Sequence, residues 1–135
     1  MPNANEHLRQ AQHNDAFSER LCSDDGPFDW AVTVSFYAAL HYFDYWLRAK
    51  KNVNIANEAQ KGFHAYRRKL AKNLLSEHLA EAYLMLNNES ELARYFATAA
   101  RPKDELGQPP FQYFNQASSA RLRAQMENLK RFFLS

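Results

Sequence analysis

Cysteine, glycine and proline are all scarce in this sequence of 135 residues. Three glycines and five prolines are too few for an all-β sandwich or barrel, which needs a turn about every 8–12 residues. The same scarcity excludes collagen-like and low-complexity chains. The single cysteine, Cys22, excludes an internal disulfide and a cysteine-based zinc site. A reducing compartment suits such a chain, and we therefore expect it to be cytoplasmic.

The familiar motifs of catalysis and of metal binding are missing as well. The sequence contains no glycine-rich phosphate loop and no Gly-x-Ser-x-Gly elbow. None of its five histidines has a glutamate three residues before it, as the di-iron sites of helical bundles require. The most apolar run, Trp30 to Leu47, is too short and too often interrupted by polar residues to cross a bilayer. We therefore predict no metal, no cofactor and no membrane contact.

Aromatic residues, by contrast, are abundant, with ten phenylalanines, seven tyrosines and two tryptophans. Disordered chains are poor in these residues, so the chain is expected to fold. Eight of the aromatic residues lie within 28–46, and a single helix of a small monomer has difficulty covering so many large rings. Because aromatic side chains favour interface cores, we expect part of this surface to meet a second copy in a homodimer.

Hydrophobic periodicity predicts helices along most of the chain. Asn3 and Glu6 have the spacing of a capping box at the start of the first helix. Asn87 and Asn88 are expected to end the fourth helix, and Ser90 to cap the fifth. No segment alternates as a strand would, and no linker divides the chain. The sequence thus predicts one all-α domain over 1–135, a bundle of five to six helices at about 4–22, 28–50, 62–75, 76–86, 91–100 and 115–133.

Residues 28–50 give the clearest helical pattern, and it has two distinct faces. A helix that is apolar on most sides is central in a bundle rather than superficial. One face is wholly apolar and holds Val32, Phe36, Ala39, Leu40, Phe43 and Leu47. The other is mixed and holds Trp30, Val34, Tyr37, His41, Asp44 and Arg48.

Charge is unevenly distributed, although the net charge is only +2. Residues 1–60 carry five basic and eight acidic side chains, whereas residues 61–135 carry twelve and seven. The basic half could face a phosphate backbone. The alternative is a set of solvated helix faces without a ligand.

On the mixed face, Tyr37, His41 and Asp44 are separated by four and three residues. A carboxylate near a histidine orients the ring and raises its pKa, as a general base would require. The alternative is a core histidine that uses the tyrosine and the aspartate as hydrogen-bond partners. Arg94 is a candidate partner for Asp44 inside the bundle.

A second polar group opens the helix predicted at 62–75. His64 and Arg67 share a face there, and Arg68 and Lys72 follow. A helix start that carries histidine and arginine is a candidate phosphate contact. Ordinary surface charge is the alternative.

A series of short motifs follows one order along the chain: Asp29-Trp30, Phe36-Tyr37-Ala38-Ala39-Leu40-His41, His64-x-x-Arg67, Tyr83-x-x-Leu86, Ser90 and Ala93-Arg94-Tyr95. This series resembles the small stand-alone bacterial proteins of the HEPN superfamily (higher eukaryotes and prokaryotes nucleotide-binding). The resemblance covers about residues 28–96.

The resemblance implies an up-and-down helical bundle that usually forms a homodimer. Active members of the superfamily are metal-independent ribonucleases, whose motif is an arginine followed after four to six residues by a histidine. Other members bind nucleotides or assist a nucleotidyltransferase, often in toxin–antitoxin or defence systems. Here Arg9 and His13 have only three residues between them, so the ribonuclease motif is absent.

We therefore expect a non-catalytic, HEPN-like module that binds a partner protein, RNA or a nucleotide phosphate. A divergent metal-independent ribonuclease is one alternative, and a purely structural interaction module is another. The ribonuclease would use His41 or His64 as base and Arg67 or Arg94 to stabilise phosphorane charge. The candidate binding residues are Trp30, Tyr37, His41, Asp44, His64, Arg67, Arg68, Lys72, Arg94 and Tyr95.

Overall fold

Helices make up the regular secondary structure of residues 3–58, 62–95 and 107–135, which are the residues that the computed structural model describes. Five long helices and two single turns confirm the predicted all-α bundle. No helix in these ranges is both long and apolar enough to span a bilayer. The helices are α1 (Ala4–Ser23), α2 (Phe28–Lys50), α3 (Ile55–Glu58), α4 (Phe63–Leu74), α5 (Glu77–Tyr95), α6 (Pro110–Tyr113) and α7 (Gln116–Leu134).

Local sequence signals set the ends of the first helices. The side chain of Asn3 accepts a hydrogen bond from the backbone N–H of Glu6, and the Glu6 carboxylate accepts one from that of Asn3. This capping box starts α1 at its predicted position. After α1 the chain turns at Gly26, whose φ of 87° lies in the left-handed region that glycine tolerates best.

One predicted helix boundary is wrong, because α5 runs without a break from Glu77 to Tyr95. Asn87 donates a side-chain hydrogen bond to Glu91 at 3.0 Å, and the Ser90 hydroxyl donates to the Asn87 carbonyl at 2.9 Å. The Asn87 amide bonds to a side chain one turn ahead, and the Ser90 hydroxyl bonds to a carbonyl within the same helix, so neither side chain caps a helix end here. The predicted helical residues 96–100 lie outside the described ranges.

The apolar face of α2 forms the centre of the core. All six of its predicted members are buried, and α2 contacts α1, α5, α6 and α7. The ring of Phe43 lies 5.1 Å from that of Tyr83 on α5 and 5.3 Å from that of Phe133 on α7. Burial of one such side chain contributes about 1.5–3 kcal/mol, so this face holds the helices together.

Most of the aromatic side chains at 28–46 are covered by other parts of the same chain. Seven of these eight residues are buried or half-buried, and only Trp30 is exposed, with 57% of its surface open to solvent. The crowding therefore does not require a second copy to cover it. The homodimer stays a prediction.

A buried ionic cluster, which the sequence did not predict, joins α1, α2 and α7. Its centre is Asp15, which is 6% exposed. One carboxylate oxygen accepts a hydrogen bond from Arg123 at 2.8 Å. The other accepts hydrogen bonds from the Tyr42 hydroxyl and the Lys130 ammonium, each at 2.8 Å. Two cations and one hydroxyl thus satisfy this carboxylate.

Opposing effects act on the pKa of Asp15. Burial acts to raise it, but the hydrogen bonds from Lys130, Tyr42 and Arg123 outweigh burial and lower the pKa below its ordinary value. Burial and the hydrogen bond to Asp15 raise the pKa of Tyr42. At neutral pH the aspartate is therefore ionised, and the tyrosine keeps its proton to donate.

We predict that Asp15→Asn lowers the free energy of unfolding by about 3 kcal/mol at pH 7, the lower end for a broken buried ion pair. A carboxyl whose folded pKa is lowered stabilises the fold above its unfolded pKa of about 3.9. That contribution is lost as the pH falls through the folded pKa. The difference between wild type and variant should therefore shrink between about pH 5 and pH 2 in urea unfolding curves.

The control is Glu19→Gln, on the same helix. The Glu19 carboxylate is 71% exposed and lies 3.8 Å from Arg123, so its loss should cost less than about 1 kcal/mol. Equal losses in both variants, or a difference that does not change with pH, would contradict the role assigned to Asp15.

Candidate functional site

The mixed face of α2 organises the predicted site. Tyr37, His41 and Asp44 follow one another at intervals of about one turn and so lie on one face of the helix. Side chains from three other helices reach this face. Most of the predicted residues fall into two groups, one around Asp44 and the other around Arg94. Outside both groups lie His64, Arg68 and Lys72.

Asp44 is the centre of the first group, which we call the Asp44 cluster: His7, His41, Asp44 and Arg67. Asp44 is only 2% exposed. Arg67 donates from Nε to Oδ1 at 2.8 Å and from Nη2 to Oδ2 at 2.7 Å. Such a two-point ion pair is among the strongest hydrogen-bonded contacts in proteins. The expected pair between Arg94 and Asp44 is wrong. Arg67 pairs with the carboxylate, and Arg94 donates instead to Tyr37, Ser90 and Tyr95.

Two histidines complete the Asp44 cluster. Nδ1 of His7 lies 3.8 Å from Oδ2 of Asp44. The rings of His7 and His41 stack at 5.9 Å, with 27° between their planes. Nδ1 of His41 is buried without a hydrogen-bond partner among the described residues.

The expected rise in the pKa of His41 is wrong. Burial lowers the pKa of both His7 and His41, and the opposing effect of the Asp44 carboxylate is smaller. The carboxylate hydrogen-bonds to Arg67, whose positive charge also lowers both values. Both imidazoles are therefore predominantly neutral at pH 7.

His7 was not among the predicted site residues, and the structure shows why it belongs to the site. Ala11, Asp15 and Ser18 form the buried face of α1, and His7 precedes Ala11 by four residues. That spacing places His7 on the same face. Beside it is a cavity of about 150 Å³, lined by His7, Asp44, Asn54, Ile55, Ala56, Phe63 and Arg67.

Arg94 is the centre of the second group, the Arg94 cluster: Tyr37, Ser90, Arg94 and Tyr95. Arg94 donates to the Tyr37 hydroxyl at 2.8 Å and to that of Tyr95 at 3.2 Å. It also donates to the carbonyl and the hydroxyl of Ser90, both at 3.2 Å. Its guanidinium lies 5.3 Å from the Tyr37 ring centroid and 4.8 Å from that of Tyr95, within the range of cation–π attraction.

Trp30 lines a cavity next to Arg94. A cavity of about 140 Å³ is lined by Asp29, Trp30, Thr33, Ala93 and Arg94. Trp30 is 57% exposed and Tyr95 is 65% exposed. Two aromatic rings are therefore accessible beside the guanidinium.

His64 lies within electrostatic reach of both clusters. Its ring centroid is 5.9 Å from that of Phe36 and 6.3 Å from that of Tyr37. Burial lowers its pKa most, and the charges of Arg67 and Arg94 lower it further. His64 is thus predominantly neutral at pH 7 and adds little positive charge to the site.

The other two predicted phosphate-binding residues lie on α4. Arg68 is 3.5 Å from the carboxylate of Glu91, and Lys72 is exposed. Arg67 and Arg68 therefore have carboxylate partners, whereas the ion pairs found among the described residues include none for Arg94.

Comparisons with known proteins leave this site to be interpreted from its own geometry. No model of a protein family, no curated protein and no solved structure matches the chain. The resemblance to the HEPN superfamily thus rests on the sequence motifs alone and remains a hypothesis.

A double-mutant cycle tests how the buried pair contributes to the fold. We predict that Asp44→Leu or Arg67→Met alone lowers the free energy of unfolding by about 3–5 kcal/mol, because each leaves a buried charge unpaired. The double variant should lose much less than the sum, since an apolar pair replaces both charges. Urea unfolding measures all three.

Arg68→Met is the matched control, because the Arg68 side chain is 30% exposed and its carboxylate contact is longer. Its loss should cost about 1 kcal/mol or less. Additive costs in the Asp44 and Arg67 cycle would show that the two side chains do not act as a pair.

Proposed function

We propose that the chain binds single-stranded RNA or a nucleotide phosphate at the Arg94 cluster, without cleaving it. The observation that carries this proposal is the guanidinium of Arg94, which donates to the hydroxyls of Tyr37 and Tyr95 and lies within cation–π range of both rings. Exposed Trp30 lines the cavity of about 140 Å³ that Arg94 also lines.

The charges support Arg94 as the phosphate contact. Hydroxyl and carbonyl partners orient the Arg94 guanidinium, and the ion pairs found among the described residues include none for it, whereas the carboxylates of Asp44 and Glu91 partner Arg67 and Arg68. A phosphate oxygen would form a charge-assisted hydrogen bond with Arg94. Because the side chain is already oriented, binding would lose little conformational entropy.

The surrounding aromatic residues support a nucleotide rather than inorganic phosphate. Trp30 and Tyr95 present exposed rings, and stacking of a base on such a ring contributes about 1–3 kcal/mol with little sequence preference. The Asp29 carboxylate in the same cavity would repel phosphate. The phosphate is therefore assigned to the Arg94 side, and the sugar or base to the Asp29 side.

The basic side chains outside the Arg94 cluster are placed where they could attract the phosphates of a nucleic-acid strand. Residues 61–135 carry the excess of basic side chains, and exposed Lys72 lies on α4 with His64 and Arg67. Positive charge spread along a surface attracts phosphates over about a Debye length. The homodimer and a protein partner remain further predictions.

The divergent-ribonuclease alternative needs a base close to the bound phosphate. His64 lies within the field of Arg94, and His41 is in the other cluster. Purified protein incubated with labelled RNA and EDTA separates the alternatives. Intact RNA supports the binding module. Cleavage that His64→Ala abolishes would support the enzyme instead.

We predict salt-dependent binding of a labelled single-stranded RNA of about 12 nucleotides, measured by fluorescence anisotropy. Arg94→Ala should weaken binding about tenfold or more at low salt and reduce the slope of log K against log salt by about one. Trp30→Ala should weaken binding about 5- to 150-fold, the equivalent of one stacked base. Its effect should depend less on salt, because stacking releases no counterions.

Arg121→Ala is the control for net charge, because it removes one exposed cation from α7. Its affinity should stay within about twofold of wild type. If Arg121→Ala and Arg94→Ala weaken binding equally, attraction is non-specific and the Arg94 site is not the binding site. If the wild type binds neither the RNA nor a mononucleotide, the proposal is refuted.

A further inference from the structure

The Asp44 cluster brings together three groups that commonly bind metals. His7, His41 and Asp44 each offer one donor atom, and these atoms all lie within 4.8 Å of one another. Ligands bound to a transition metal at about 2.0–2.2 Å lie about 3.3 Å apart in tetrahedral geometry. The separation of 3.8 Å between His7 Nδ1 and Asp44 Oδ2 exceeds that value by about 0.5 Å, and no separation in the cluster exceeds it by more than about 1.5 Å, so side-chain shifts of up to that size would complete the arrangement.

Two of the three groups have hydrogen-bonding capacity that the described part of the protein does not use. Nδ1 of His41 is buried and makes no hydrogen bond within the described residues, although buried polar atoms are usually satisfied. Each oxygen of Asp44 accepts one hydrogen bond from Arg67 and keeps a second lone pair. Hydrogen bonds of this kind commonly orient the carboxylates that bind metals.

The charge balance decides which ions suit the cluster. Asp44 is the single carboxylate among the three donors, and Arg67 already compensates much of its charge. Mg²⁺ and Ca²⁺ depend on several oxygen ligands and are therefore disfavoured. Imidazole nitrogen suits Zn²⁺ and its first-row neighbours. The structure thus points to a site for a divalent transition metal such as Zn²⁺, bound by His7, His41 and Asp44.

The adjoining cavity of about 150 Å³ leaves one side of this site open. His7 and Asp44 line the cavity, together with Arg67, Asn54 and Phe63. Three protein ligands and an open position are typical of catalytic rather than closed structural zinc sites. A water molecule in the cavity would complete the coordination. The site uses none of the residues of the Arg94 cluster, so it does not depend on the proposed RNA binding.

Titration calorimetry of the untagged full chain with Zn²⁺ tests the inference. One equivalent should bind saturably, and Mg²⁺ should not bind. His7→Ala should weaken Zn²⁺ binding at least about tenfold, since even changes around metal ligands cost about 10- to 100-fold. Co²⁺ should develop visible absorption bands with the wild type and not with His7→Ala.

His41→Phe provides a second variant that keeps an aromatic ring beside His7, so that stacking is preserved while the nitrogen ligands are lost. It should also bind Zn²⁺ at least about tenfold more weakly. Circular dichroism and thermal melting confirm that both variants are folded before the titration.

Two further variants control for adventitious binding. His13 is an exposed histidine on the same helix as His7, and Cys22 is the single thiol of the chain. His13→Ala and Cys22→Ser should both keep the affinity of the wild type. Absence of saturable Zn²⁺ binding, unchanged affinity in folded His7→Ala and His41→Phe, or loss of binding in either control would overturn the inference.

Discussion

The paired charges of Asp44 and Arg67 constrain both candidate sites. A carboxylate that is 2% exposed is tolerated in the core only when it is paired and hydrogen-bonded. Arg67 supplies both requirements from α4 and so joins that helix to α2. Arg94 is oriented by the hydroxyls of Tyr37 and Ser90 instead. On the same side of α2, one arginine thus pairs with a buried carboxylate, whereas the other is held by neutral groups.

Polar contacts also hold the first helix. The buried residues of α1 are Ala11, Asp15 and Ser18, which offer little apolar surface. Asp15 accepts hydrogen bonds from Tyr42 on α2 and from two cations on α7, while His7 reaches Asp44 at the other end of the helix. Directional hydrogen bonds therefore fix the position of α1 together with the apolar packing of Ala11 and Leu8 against the core. Small changes in these polar residues should therefore affect both stability and the candidate sites.

The two clusters on the mixed face of α2 offer different chemistry. The Arg94 cluster combines a cation with exposed aromatic rings, which suits a phosphate joined to a base. The Asp44 cluster combines two imidazoles with a carboxylate beside a cavity, which suits a transition metal. His64 lies within electrostatic reach of both, since the charges of Arg67 and Arg94 each lower its pKa. The separate residues allow each proposal to be tested without the other.

The sequence by itself determined the helices and the central position of α2, because hydrophobic periodicity and capping are local properties. The ends of α1 and α2 agree closely with the predicted ones, whereas the predicted break at Asn87 failed because its side chain bonds to Glu91 within the helix. Spacing on one helix also identified Arg67 as a candidate, whereas Arg94 was a candidate through the resemblance to the HEPN superfamily. Only the tertiary structure decided that Asp44 pairs with Arg67 and that His7 joins them. These contacts join α1, α2 and α4, and helical periodicity cannot determine which side chains of separate helices meet.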